Sequence, residues 1–138
     1  MEARICLAAD FANVDRSGKL NMLGAFNRIM LKEFPGTHHS MYVVIRLAAE
    51  LGEFEQEKML KVVLFDQDAH EMWSTPDIPF TIPAPKGGRT ADFNAIIEVR
   101  SLEFQNPGRH EFRVFVNGDY KGSIPIDMEL VARPPEEE

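Results

Sequence analysis

The chain has 138 residues, 44% hydrophobic and 27% charged, and its 15 basic against 22 acidic side chains give a formal net charge of −7 at pH 7. That length predicts one domain, over residues 1–132, large enough to bury roughly two thirds of its unfolded surface. The acidic balance argues against sequence-independent nucleic-acid binding, which needs Lys and Arg to displace counterions. No run of about 20 apolar residues is present to span a membrane. The single cysteine, Cys6, excludes an internal disulfide framework and points to a reducing, cytoplasmic setting.

From the first residue onward the dominant hydrophobic period is two. The opening stretch MEARICLAAD is too short for the core of a signal peptide and reads as a buried strand over Arg4–Phe11, with Cys6 as a small hydrophobe inside it. Turn residues 15–18 follow, and a second apolar stretch, Leu20–Leu31, is expected to kink at Gly24. KEFPGTHHS reads as a loop with Pro35–Gly36 as its turn. Met41–Ala49 is the richest β-branched run, Ala48–Glu57 has room for one helical turn, and Met59–Phe65 is the next strand.

Glu71–Trp73 and Ile78–Ile82 flank Pro76, and with Pro79, Pro83 and Pro85 nearby the region predicts an edge strand. Trp73 there is a core side chain or an exposed anchor for a partner. PKGGRT reads as a flexible loop. Asp92–Phe104 is a strand with Ile97, Val99 and Phe104 on one phase. His110, after Pro107–Gly108, is expected to open the following strand facing outward. Phe112, Val114 and Val116 alternate with Glu111, Arg113 and Phe115, and Asn117–Gly118 is the preferred pair for a tight hairpin turn. Tyr120–Met128 returns, with a bulge at Gly122 and an unpaired side at Pro125. Pro134–Pro135 and Glu136–Glu138 end the chain in an acidic flexible tail over 133–138. The pattern predicts an all-β, antiparallel β-sandwich of about eight strands, immunoglobulin-like or similar, because prolines mark edges that a closed barrel lacks.

Chemistry-bearing residues fall into two groups. Asn13, Asp15 and Ser17 sit where the first alternating ligands of a calcium loop belong, and Gly18 sits at its glycine position. Gly24 stands where the closing bidentate Glu is required, however, and the flanks read as strands. The same letters make a hairpin turn. Asp66, Asp68 and His70 alternate, so on a strand they share a face and form a candidate metal site. Between Phe65 and Met72 they also suit a turn. His38 and His39 are adjacent and point to opposite faces. Ser17, Ser40, Ser74, Ser101 and Ser123 lie outside any G-x-S-x-G elbow, and H-E-x-x-H and C-x-x-C are absent. KGGR at 86–89 does not open a helix and so makes a poor phosphate cradle. No catalytic residue, cofactor or metal is expected.

The blocks ADFANVDRSGKLNMLGAFNRI and PGRHEFRVFVNGDYKGSIPI carry Asp10, Ala12, Val14, Gly18, Lys19 and Leu20, then Leu23, Gly24 and Phe26, then Pro107, Gly108, Phe112, Val114, Val116 and Gly118. With these residues the chain resembles an uncharacterised family of small bacterial proteins, a domain of unknown function. The resemblance implies a compact β-sandwich and no reaction. The expected role is therefore a non-catalytic binding or assembly module with a protein partner or self-association. The alternatives are a metal- or small-molecule-binding domain, possibly hydrolytic, and a structural protein of a phage or large particle.

Overall fold

A computed structural model describes residues 1–87 and 91–131. The acidic tail and residues 88–90 of the PKGGRT loop, the second half of the KGGR stretch among them, lie outside the described residues. Ten strands follow one another: β1 Glu2–Val14, β2 Leu20–Phe26, β3 Arg28–Leu31, β4 Gly36–Ala49, β5 Glu57–Phe65, β6 Glu71–Ser74, β7 Ile78–Thr81, β8 Ala91–Phe104, β9 Gly108–Val116 and β10 Asp119–Leu130. There is no helix among the described residues, and so none long and apolar enough to cross a membrane. The expected helical turn over Ala48–Glu57 is instead the end of β4 and a turn in which the Glu53 amide donates to the Glu50 carbonyl at 3.0 Å.

The strands form two sheets packed face to face. One has the order β2-β1-β4-β8. The other has the order β3-β10-β9-β5-β6, with β7 also on β5. Met41, Val43, Ile45 and Leu47 of β4 face inward and join Leu60, Val62 and Leu64 of β5 and Phe112, Val114 and Val116 of β9 in one core. Period-two patterning puts these rows on a single face of each strand. Half-buried Trp73 closes on that core, its ring edge-on to Phe112 at 5.9 Å.

Several strands depart from their local pattern, each for a long-range reason. Gly24, left-handed at φ 70°, interrupts the β1–β2 ladder opposite Asp10 as expected of a kink, but the strand ends only at Asn27: β2 stays with β1, while β3 crosses to the other sheet and pairs β10 in parallel. The loop expected over 32–40 ends by Gly36, because Gly36, Thr37 and His38 are captured by Phe104, Glu103 and Leu102 of β8. In β8 the left-handed Ser101 (φ 53°) shifts the phase, so Leu102 and Phe104 turn inward like Val99 despite odd spacing. His110 is buried, 3% exposed, and correctly belongs to the inward row of Phe112, Val114 and Val116. Its Nδ1 lies 3.0 Å from the Gly108 carbonyl, and its ring is edge-on to Phe104.

The tight turn forms as read, with Asn117 at φ 50° and Gly118 at φ 82°. The register slips between Tyr120 and Gly122, and Pro125 lies just before β3 joins β10 at Asp127. β6 and β7 are one broken edge strand, interrupted at Pro76, running along β5. Thr75 seals the break: its amide donates to the Val62 carbonyl at 2.9 Å, and its Oγ1 accepts from the Val62 amide at 3.0 Å.

Two predictions test this packing. Thr75→Val removes the hydroxyl that accepts from the buried Val62 amide without changing shape, and is expected to cost about 1–3 kcal/mol in urea unfolding. His38 is half-buried at the crossing of β3, with Nε2 enclosed and without a hydrogen-bond partner. Burial lowers its pKa from the ordinary 6.5, against smaller opposing effects of the Ser40 backbone and Asp10. The folded state thus favours neutral imidazole, and stability falls as pH drops through 6.5 and on through the lowered folded value. His38→Gln should lose less unfolding free energy than the parent between about pH 7.5 and about pH 5.

Candidate functional site

The two polar clusters singled out in the sequence are hairpin turns of the same construction. In the β1–β2 turn the Asp15 amide donates to the Lys19 carbonyl at 2.9 Å, and the Gly18 amide donates to the Asp15 carbonyl at 3.0 Å. Asp15 Oδ1 accepts from the amides of Ser17 and Lys19 and from Ser17 Oγ at 2.6 Å. In the β5–β6 turn the Asp66 amide donates to the His70 carbonyl, and the Ala69 amide donates to the Asp66 carbonyl. Asp66 Oδ1 accepts from the amides of Asp68 at 2.9 Å and His70 at 2.8 Å. An aspartate that caps its own turn explains both patterns.

The same bonds set the charges. The Ser17 hydroxyl and the Lys19 amide hold the Asp15 carboxyl below its usual range, and the His70 amide does the same for Asp66. The structure brings Asp66, Asp68 and His70 together, with ligand atoms within 4.8 Å of one another and His70 Nδ1 3.3 Å from Asp66 Oδ2. They meet through an exposed turn, where Asp66 already spends one oxygen on two amides. Asn13 lies in β1 opposite Asn21, and only Asp15 and Ser17 of its group touch. His38 and His39 lie on opposite faces of β4, half-buried and exposed. Burial pushes the Cys6 thiol up, away from a reactive thiolate.

The feature that sequence patterning missed is a projecting ribbon. β4 accompanies β1 only as far as Ala9, whereas the β1–β2 ladder continues to Val14 and Leu20. Beyond Ala9 the two strands therefore run on as a two-stranded arm. Phe11, Val14, Met22 and Leu23 on this arm are four of the nine exposed large apolar side chains among the described residues. Phe11 lies opposite Leu23, which is 62% exposed, and packs edge-on against Tyr42 at 5.6 Å. Beside them runs the free edge of β2, LNMLGAF, with neither charge nor proline. The other edges are guarded: β8 carries Asp92, Glu98, Arg100 and Glu103, β7 carries Pro79, and β3, β6 and β7 are four residues each. Each apolar residue was visible in the sequence; that β2 would end the sheet was not.

The matching turns generate a prediction. Ala69 occupies at φ 62° the position that Gly18 occupies at φ 84°. Left-handed backbone strains an alanine, so Ala69→Gly is expected to stabilise by about 0.5–1 kcal/mol and Gly18→Ala to destabilise by about 1 kcal/mol in thermal or urea unfolding.

No curated protein sequence matches the chain. Among solved structures, a β-glucosidase from Listeria innocua superposes with a TM-score of 0.50 at 14% identity, over 76% of this chain and 15% of that one. An alkylpurine DNA glycosylase, AlkC of Pseudomonas fluorescens, bound to DNA containing an abasic site analog, gives 0.48 at 19% identity, over 75% and 28%. The chain thus spans less than a third of either protein, and at these identities the β-glucosidase likeness concerns the fold alone. A family model matches residues 4–129, nearly the whole β-sandwich. The chain belongs to the family of unknown function DUF6941.

Proposed function

We propose that the protein is a non-catalytic assembly module that works in the cytoplasm by adding strands at its β2 edge, with a second copy of itself as the partner. The observation that carries this reading is the unguarded edge of β2 beside the apolar arm. A free ladder edge offers unpaired amides and carbonyls to any strand that can approach, and natural sheets usually blunt it with charge, proline or shortness. β2 has seven residues with no charge and no proline, and its ladder is interrupted only at the left-handed Gly24.

A second copy fits because antiparallel pairing about a twofold axis is self-complementary. The central residue of β2 is Leu23, so a dyad placed there sets Leu23 against its own copy, with Phe11 alongside. β2 itself carries no charge, and the charge beside it is the exposed Asp10 carboxylate of β1, which lies against Gly24. The four-stranded sheet then continues as one of eight strands. Lone Cys6, half-buried with its thiol pKa raised, suits a reducing compartment.

Sedimentation or light scattering across a concentration series is expected to give the mass of a dimer. Leu23→Lys is expected to shift it to monomer, weakening association roughly tenfold or more while the melting temperature of the monomer stays unchanged. A parent protein that stays monomeric up to about 100 µM, where interfaces of micromolar affinity are populated, contradicts the reading.

A further inference from the structure

The second sheet carries an apolar groove on the side facing away from the core. Along β5, Leu60, Val62 and Leu64 enter the core, and Met59, Lys61, Val63 and Phe65 point the other way. A strand with one face in solvent normally makes that outer row polar. Here three of the four are apolar, and Val63 is only 5% exposed although it faces outward. The neighbouring strand extends the surface, with Phe115 of β9 paired to Lys61 and Arg113 paired to Val63. The Asn117–Gly118 turn walls one side, and Asp77, in the break between β6 and β7, walls the other. The space between them is about 580 Å³, within the roughly 300–1,000 Å³ range of small-molecule sites.

The charges in the groove specify what it takes. Arg113 is already engaged: its Nε donates to Glu111 at 2.8 Å, and its guanidinium lies 4.6 Å over the Phe65 ring. Lys61 is half-buried in the floor, and among the described residues it makes no ion pair. Asp77 stands at the exposed rim, where water screens it. A free cation set among apolar side chains is complementary to an anion attached to an apolar body. We infer that the groove over Met59, Lys61, Val63, Phe65 and Phe115 binds a small amphipathic anion, an apolar ring or short chain bearing one carboxylate or sulfonate. The apolar body lies on Phe65, Phe115 and Val63, and the acidic group reaches Lys61 Nζ. The site is on the opposite sheet from β2, so it is independent of the assembly reading.

The test uses 8-anilinonaphthalene-1-sulfonate as the anionic probe and N-phenyl-1-naphthylamine as its neutral counterpart, on the full chain, by calorimetry and fluorescence titration. The expected result is saturable binding of one sulfonate per chain, tighter than that of the neutral dye. Phe115→Ala should weaken both dyes roughly tenfold, because it removes part of the shared apolar surface. Lys61→Met should weaken the sulfonate about fivefold and leave the neutral dye within about twofold, and Lys61→Arg should restore the preference. Near-ultraviolet circular dichroism from Trp73 reports that each variant keeps its fold. Absence of saturable binding by the parent protein overturns the inference. So does sulfonate binding that Phe115→Ala and Lys61→Met both leave unchanged, which would place the dye elsewhere, such as on the β1–β2 arm.

Discussion

The inner row of β4 is the constraint on which the rest of the molecule depends. Met41, Val43, Ile45 and Leu47 are fully buried, and the strand that carries them is hydrogen-bonded on both sides, to β1 and to β8. Pressed against β5, β9 and β10, this row removes a large apolar area from water at roughly 25 cal/mol per Å². It also fixes register, because a slip of one residue would turn the row outward. β1 and β8 take their places from β4, and β2 takes its place from β1. The strand with the least local character thus ends the sheet.

The unusual surfaces arise where this order runs out. β1 outlasts its pairing with β4 at Ala9, and the excess becomes an arm that exposes Phe11, Val14, Met22 and Leu23. β5 is apolar on both faces but has a second sheet on only one. The broken edge of β6 and β7 and the Asn117–Gly118 turn rise beside its outer face and make a groove of it. Both features cost solvation in an isolated chain, which is why both are read as places where something else binds.

What the sequence made legible was local. The alternation of Phe112, Val114 and Val116, the Asn117–Gly118 turn and the Gly122 bulge depend on a few neighbouring residues and were readable as such. The aspartate turns were readable too, since Asp15 and Asp66 bond chiefly to amides of their own loops, within four residues along the chain. His110 could have been placed correctly by extending the same even-numbered row by one step. Other features were not available locally. Gly36–His38 look like loop residues until β8 captures them, and Ser101 reverses a phase that nothing near it announces. The sealing role of Thr75 exists only because Val62 lies across from it. The edge position of β2 and the outward apolar row of β5 matter only once the strand order is known.

The central claim is that the β2 edge is completed by another copy of the same strand. The most direct measurement is amide hydrogen exchange over Leu20–Phe26 at low and high protein concentration. The account predicts that the β2 amides not bonded to β1 exchange freely in dilute protein and become protected as concentration rises, while those of β8, the opposite edge, do not change. Exchange over β2 that is independent of concentration would contradict it.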